Sequence, residues 1–539
     1  MKQKLFWAML PFLALSFASC EDEEAFDSDV GSSQSKREMG IKEGEIRLGE
    51  KINSPVTLRN MQRAADSLAQ RNGMVLRSAT QLEATHLYVR FLPKDSAEYE
   101  LLVGDTLLDP TPYPWDYELT EGDSYHDPSL PWDAYQWQYT VVPAEHDLGK
   151  YEIDYEVLEE LYMPNEMFEE GGSSSLRSSN EESNFLKDLL NESVRQNAPD
   201  QMDQTETLRK WTPTATIKAY DDILNTYIPL DGVKVRITTF AFVKETAITN
   251  IYGQVSFDKR NRDVSYSIEW ERDNWDIREG GTQAYYNGPN NTKSAWNLNI
   301  SSNTQKSLHI SAIHRALLKY YHGNIDGLIR PSKALKVSYQ TGADTDGSAL
   351  GGTQSAIVRT WSWIFSAIKI YEKDSEGICS VSSIFNTTIH ELAHASHACR
   401  MSKDEYDNTS KFIRDSWASC VDWYLTLQEY ERLGASGYEL VLLDNRYDDQ
   451  HWPNYDKISL IYSPMFIDMI DDYNQSLKDI SRPFDDVYGY SISLIDKNLT
   501  TLKSYSDVER FMLNNKPAYI TNSQIYTLLK LYKEKWTEK

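Results

Sequence analysis

Cysteine is nearly absent from this chain: four in 539 residues, one of them, Cys20, directly after an apolar N-terminal stretch. The other three, Cys379, Cys399 and Cys420, are odd in number and contain no C-x-x-C pair. A disulfide framework and a thiolate zinc finger are both excluded on that count, and the three are expected as buried small residues. Basic residues are also short, 55 Lys and Arg against 81 Asp and Glu, for a formal net charge of −26. No basic cluster interrupts that acidic field, so nucleic acid is excluded as a partner. Past Phe17, no apolar run approaches the roughly 20 residues that span a bilayer. What is present is core-forming material: 40% hydrophobic and 12% aromatic residues, in a length that suits three or four folded units.

The start of the chain reads as a targeting segment. Met1-Lys2-Gln3-Lys4 is basic, and Leu5 to Phe17 is apolar but too short to cross a membrane, the pattern of a signal peptide. Leu15-Ser16-Phe17-Ala18-Ser19-Cys20 resembles a bacterial lipobox, with Phe17 in place of the usual aliphatic residue. That resemblance implies lipidation of Cys20. Glu21-Asp22-Glu23-Glu24 and the acidic, Ser-containing stretch through Gln34 have the composition of a solvated tether over 21–41. The run is similar to the surface-export signal of Bacteroidetes-type lipoproteins, which implies an outer-membrane lipid anchor and an outward-facing chain.

The pattern of the rest predicts a multidomain α+β fold. Residues 42–169 are expected as a helix plus a β-rich N-terminal domain. Leu58, Met61, Ala64, Leu68 and Met74 recur at helical intervals over 42–78, and strands are predicted at 86–92 and 135–142. The Gly/Ser run at 170–183 reads as a linker, an exposed seam where proteolysis would release the N-terminal domain if that domain shields a site. Alternating runs at 229–237, 249–257 and 264–268 predict a β-sandwich over 213–283, which resembles a carboxypeptidase-regulatory or Ig-like module. Residues 284–539 are mixed, then helical, with helices predicted at 308–321, 458–473 and 524–536.

The chemistry concentrates at His390-Glu391-Leu392-Ala393-His394. An H-E-x-x-H on a helix places two imidazoles one turn apart on one face, where both reach one ion. The glutamate beside them can serve as general base toward a metal-activated water. Its flanks, Ile384 to Ile389 before and Ala395 and Ala398 after, predict a buried helix without Pro or Gly. Burying two histidines and a glutamate there is costly without a metal. His397 falls on the same face, but residues i and i+7 lie about 10.5 Å apart along a helix axis, too far for a shared ion. It is expected as a packing histidine.

A third protein ligand is required. Phe412 to Tyr424 has helical apolar spacing, and Asp415-Ser416-Trp417-Ala418-Ser419-Cys420-Val421-Asp422 resembles the glutamate helix of gluzincins, the thermolysin-like and aminopeptidase-type zinc peptidases. Twenty residues, 395 to 414, separate His394 from Asp415, as in that family. The resemblance covers about forty residues and implies a zincin-like catalytic domain over 284–539 with a helical lower lobe. It implies one Zn2+ per chain held by His390, His394 and Asp415, Glu391 as catalytic base, and a peptide or protein substrate. Aspartate stands where the family has glutamate, and Asp422 remains open either as the ligand or as a carboxylate orienting a histidine. Tyr462 and His451 are candidates for oxyanion stabilisation, and the Gly-rich run at 347–352 either pairs with substrate backbone or forms a surface loop. Endopeptidase and aminopeptidase action both stay open. The alternative is an inactive zincin scaffold on a lipoprotein that binds glycans or host proteins. The oligomeric state is not legible.

Overall fold

The computed structural model describes residues 44–71, 81–131, 134–164, 167, 180–199, 210–343, 368–374, 377–440, 443, 463–473 and 485–535. The signal peptide with Cys20, the tether, residues 170–179, the Gly-rich run, His451 and Tyr462 lie outside them. The fold is mixed α and β, with several sheets. No described helix is long and apolar enough to cross a membrane.

The first region contains β1 (Leu48–Lys51), α1 (Leu58–Arg71), β2 (His86–Leu92), α2 (Ser96–Val103), β3 (Tyr117–Leu119), β4 (Gln138–Pro143) and β5 (Asp154–Leu161). β2 is the centre of an antiparallel sheet of order β4-β2-β5. The helix expected across 42–78 begins only at Leu58, because residues 48–51 pair with β3. Met61, Ala64 and Ala65 of α1 are buried in one core with Leu186, Leu189 and Val194 of α3 (Asn180–Asn197). Sequence reading placed a linker at 170–183 and did not foresee α3. Ser193 Oγ donates to the Pro55 carbonyl at 2.6 Å, and Arg71 pairs with Glu192 at 2.5 Å, fixing α3 to α1.

Strands then follow closely: β6 (Thr214–Asp221), β7 (Thr226–Pro229), β8 (Lys234–Thr239), β9 (Val243–Ile248), β10 (Gln254–Ser256), β11 (Ser265–Glu269), β12 (Glu271–Arg272), β13 (Trp275–Glu279), β14 (Thr282–Gln283), β15 (Tyr285–Asn287) and β16 (Trp296–Ile300). Eight of them build two four-stranded sheets, one of β7, β6, β10 and β16, the other of order β15-β11-β8-β9. Alternate residues of both, including Ala215, Ile217, Val235, Ile237, Ile268 and Leu298, enter one core. β12, β13 and β14 leave this arrangement. β13 runs parallel to β17 (Leu335–Ala343), which runs parallel to β18 (Ile368–Asp374), and β19 (Gly377–Ile378) closes that sheet antiparallel. The boundary expected at residue 283 is therefore crossed: 271–283 join the later sheet, while 285–287 and 296–300 pair with the earlier ones. Alternation announces a strand but not its partner.

The parallel β13–β17 connection requires a crossover, and α4 (Gln305–His322) lies within it. α4 is buried nearly all round, as a helix between other layers must be. Leu308, Ile310, Ile313 and Leu317 are each almost wholly enclosed and each contribute roughly 1.5–3 kcal/mol. Its polar residues find partners: His309 meets the Cys379 carbonyl at 2.9 Å, His314 the Asp231 carbonyl at 2.9 Å, and Lys319 donates to Gln428 at 2.6 Å. Gly232, at φ +74°, lets the chain pass α4, since a Cβ there would sit 2.7 Å from Leu318.

α5 (Val381–Ala398), α6 (Lys403–Asp407) and α7 (Lys411–Arg432) follow, then helices Met465–Asp468, Ile492–Asn498, Tyr505–Asn515 and Asn522–Lys535. Of the helix expected at 458–473, only the turn at 465–468 is helical among the described residues. The N-terminal region is tied to the rest by Arg278 and Lys336 on Glu100, by Lys306 on the Asp123 carbonyl at 2.7 Å, and by Ser307 on Asp123. Those contacts run to β13, β17 and the start of α4.

Candidate metal centre

Two helices build the centre. Ser380 caps α5 by accepting from the Ser383 amide at 3.1 Å. Asp222, just past β6, accepts from the Ser382 amide and hydroxyl at 2.9 Å, placing a negative charge at the positive end of the helix. Ile384, Phe385, Ile389, Leu392 and Ala393 bury the rest of α5, so its histidines project from a fixed support.

His390 and His394 lie one turn apart with ring centroids at 4.8 Å, and their Nε2 atoms face each other at 3.1 Å. From α7, Asp415 Oδ1 comes within 3.2 Å of His394 Nε2. One donor atom from each of His390, His394 and Asp415 lies within 4.8 Å of the others. Asp422, two turns on, goes elsewhere: its Oδ2 lies 2.8 Å from His390 Nδ1, behind the ring. Asp415 near His394 and Asp422 near His390 make α5 and α7 antiparallel. Of the two readings left open for Asp422, the geometry matches the orienting carboxylate.

Glu391 is 2% exposed, and its Oε2 has no hydrogen-bond partner. A buried carboxylate oxygen left unpaired is expensive. Three carboxylates, Glu391, Asp415 and Asp422, surround two imidazoles, so the charge balance of the cluster calls for a cation. Burial works to lower the His390 pKa, but the hydrogen bond and charge of Asp422, with Glu391 and Asp415 nearby, outweigh it and raise it to about 9. The donors fit a metal: a tetrahedral ion with bonds near 2.1 Å has ligand atoms about 3.4 Å apart. These residues could hold a metal ion.

His397 stays outside this set. It is fully buried, its pKa is lowered to about 3 by burial and by the charges of Arg400, His394 and Arg414, and neither ring nitrogen has a partner. Its ring packs edge-on to Tyr406 at 5.2 Å. Cys379, Cys399 and Cys420 are free thiols, and burial pushes Cys379 up to about 12 and Cys420 well up.

Tyr406, unforeseen among 34 tyrosines, places its hydroxyl 3.3 Å from His394 Nδ1. A second acidic group, Asp468, Asp471 and Asp485, also escaped sequence reading, since no motif links its members. A cavity of about 720 Å³ opens elsewhere, lined by Glu100, Lys234, Glu269, Arg272, Trp275 and Lys336 among others, and none of the histidine cluster lines it.

No family model and no curated protein matches the chain. Among solved structures, a 9R-lipoxygenase from Cyanothece PCC8801 shares 14% identity over 22% of this chain and 21% of its own, with a TM-score of 0.11. A likeness of that size carries no argument.

Proposed function

We propose that the chain is a zinc-dependent metallopeptidase, and that it is held at the outer membrane through a lipidated Cys20, facing outward. The observation that carries the reading is the convergence of His390, His394 and Asp415 donor atoms beside the unpaired carboxylate oxygen of Glu391. His390, His394 and Asp415 would hold one zinc, which when bound supplies Lewis-acid polarisation of a peptide carbonyl and lowers the pKa of water. Glu391 takes the proton from the attacking water and passes it to the leaving amine. Asp422 accepts the His390 Nδ1 proton and so keeps the Nε2 lone pair turned to the centre. In this reading, β13, β17, β18 and β19 with α4, α5 and α7 form the zincin-like catalytic part, and the two four-stranded sheets its carboxypeptidase-regulatory-like module. Its partner in this reading is a peptide or protein substrate, and the net charge of −26 argues against nucleic acid.

The test is zinc stoichiometry of the purified chain alongside chelator-sensitive cleavage of a mixed peptide library. One zinc per chain is expected, with cleavage lost on chelation and regained on adding zinc. Glu391→Gln is expected to keep zinc and lose about a thousandfold or more in kcat/KM. Cleavage by Glu391→Gln at the wild-type rate refutes the mechanism. Zinc without cleavage in the wild type turns the reading to an inactive scaffold binding glycans or host proteins, and absence of zinc refutes the metallopeptidase.

A further inference from the structure

The two histidines of the centre are held from behind by different chemistry. His390 Nδ1 meets the carboxylate of Asp422, whereas His394 Nδ1 meets the phenol of Tyr406. Tyr406 belongs to α6, a five-residue helix with its own fixings. Ser402 and Glu405 form a reciprocal capping box, Ser402 Oγ accepting from the Glu405 amide at 3.3 Å and the Glu405 carboxylate accepting from the Ser402 amide at 3.1 Å. Thr409 Oγ1 donates to the Glu405 carbonyl at 3.0 Å. The Tyr406 ring is buried between the His397 edge, 5.2 Å away, and the Arg414 guanidinium, 4.8 Å from its centroid. Its hydroxyl therefore has little freedom to leave His394.

We infer that Tyr406 is a positioning residue for His394, its oxygen accepting the Nδ1 proton so that Nε2 presents its lone pair toward His390 Nε2 and Asp415 Oδ1. This rests on the metal-site reading above. An imidazole that can donate at only one nitrogen ligates with the other, and fixing the tautomer removes one of two competing arrangements before the ion arrives. A neutral oxygen does this without adding a fourth negative charge to a cluster that already has three carboxylates. The Arg414 guanidinium sits over the tyrosine one residue before Asp415, so the same turn of α7 supplies a donor atom and braces the residue that orients its neighbour.

The test uses Tyr406→Phe in the purified full chain, which removes the hydroxyl and keeps the ring against His397 and Arg414. Zinc affinity is measured by competition with a chromophoric chelator, and the ring nitrogens of His394 are read by 15N NMR in the metal-free wild type, where no ion dictates the tautomer. A loss of about tenfold or more in zinc affinity is expected, whereas the metal-free melting temperature reports only the lost hydroxyl contact with Arg414. In the wild type, His394 is expected to carry its proton on Nδ1. Equal zinc affinity of wild type and variant, or a proton on Nε2 of His394, overturns the inference. The NMR reading decides it even if the variant folds poorly. A wild type that binds no zinc refutes the metal site itself, a separate outcome.

Discussion

Two groups of buried and half-buried carboxylates lie near α7 and face different kinds of partner. At the histidine centre, Asp415 and Asp422 face imidazoles, which offer nitrogen donors and can be ligands, orienting partners or cations. In the other group, Asp468, Asp471 and Asp485 offer only oxygen. There the Tyr532 hydroxyl donates to Asp468 and the Val487 amide to Asp485 at 2.8 Å. Burial, then the charge of Asp468, pushes the Asp485 pKa up to about 10, so this group keeps a proton at neutral pH. The difference teaches that donor type, not acid density, sets what a cluster can take: a mixed nitrogen and oxygen set suits zinc, whereas an all-carboxylate group takes a proton or a hard, oxygen-seeking cation. Asp221, buried and outside both groups, takes another solution, a guanidinium.

Asp221 is where the largest effect on stability is expected. It ends β6 without exposure, and its Oδ2 accepts from Arg315 of α4 and from the Tyr430 hydroxyl of α7, each at 2.9 Å. Its Oδ1 accepts from the amides of Ile223 and Leu224. Asp221→Ala leaves Arg315 buried and unpaired, at a cost of about 3–5 kcal/mol. Denaturant unfolding measures it. A loss under about 1 kcal/mol would mean that the sheets and helices are not coupled through this ion pair.

Next in size is the ranking within the histidine centre. Asp422→Ala is expected to weaken zinc binding about 10- to 100-fold, the scale for a group that orients a ligand. Asp415→Ala is expected to weaken it more, because it removes a donor atom. The reverse order, measured by chelator competition, would exchange their roles and break the contrast between ligand and orienting carboxylate.

How much of this was legible follows from how local each signal is. The α5 site showed in five residues because helix geometry alone brings His390 and His394 together. Asp415 was singled out through resemblance and spacing, and the placement of Asp422 behind His390 became visible only with α7 running antiparallel to α5. The exchange of strands between sheets was hidden, since β13 and β15 are short and differ in partner, which a local sequence pattern does not encode. α3 was hidden for another reason: Leu186, Leu189 and Val194 carry helical spacing next to a Ser/Gly run whose composition dominates the local reading. Tyr406 carried no signal at all, because its role depends on α6 folding back over His394.

The smallest expected effect tests the proton on the all-carboxylate group. A carboxyl whose folded pKa is raised holds its proton in the native chain while the unfolded chain loses it, so its contribution to stability is full below about pH 4 and declines as pH rises toward 10. An asparagine in its place cannot ionise, and the side-chain carbonyl can still accept from the Val487 amide. Asp485→Asn is therefore expected to melt at the same temperature as wild type near pH 4 and higher at pH 8, the gap widening with pH. If the variant instead melts lower at pH 8, the charge of Asp485 is useful there, as it would be beside a bound cation. The two groups would then differ in which ion they hold, and the contrast between proton and metal would fail.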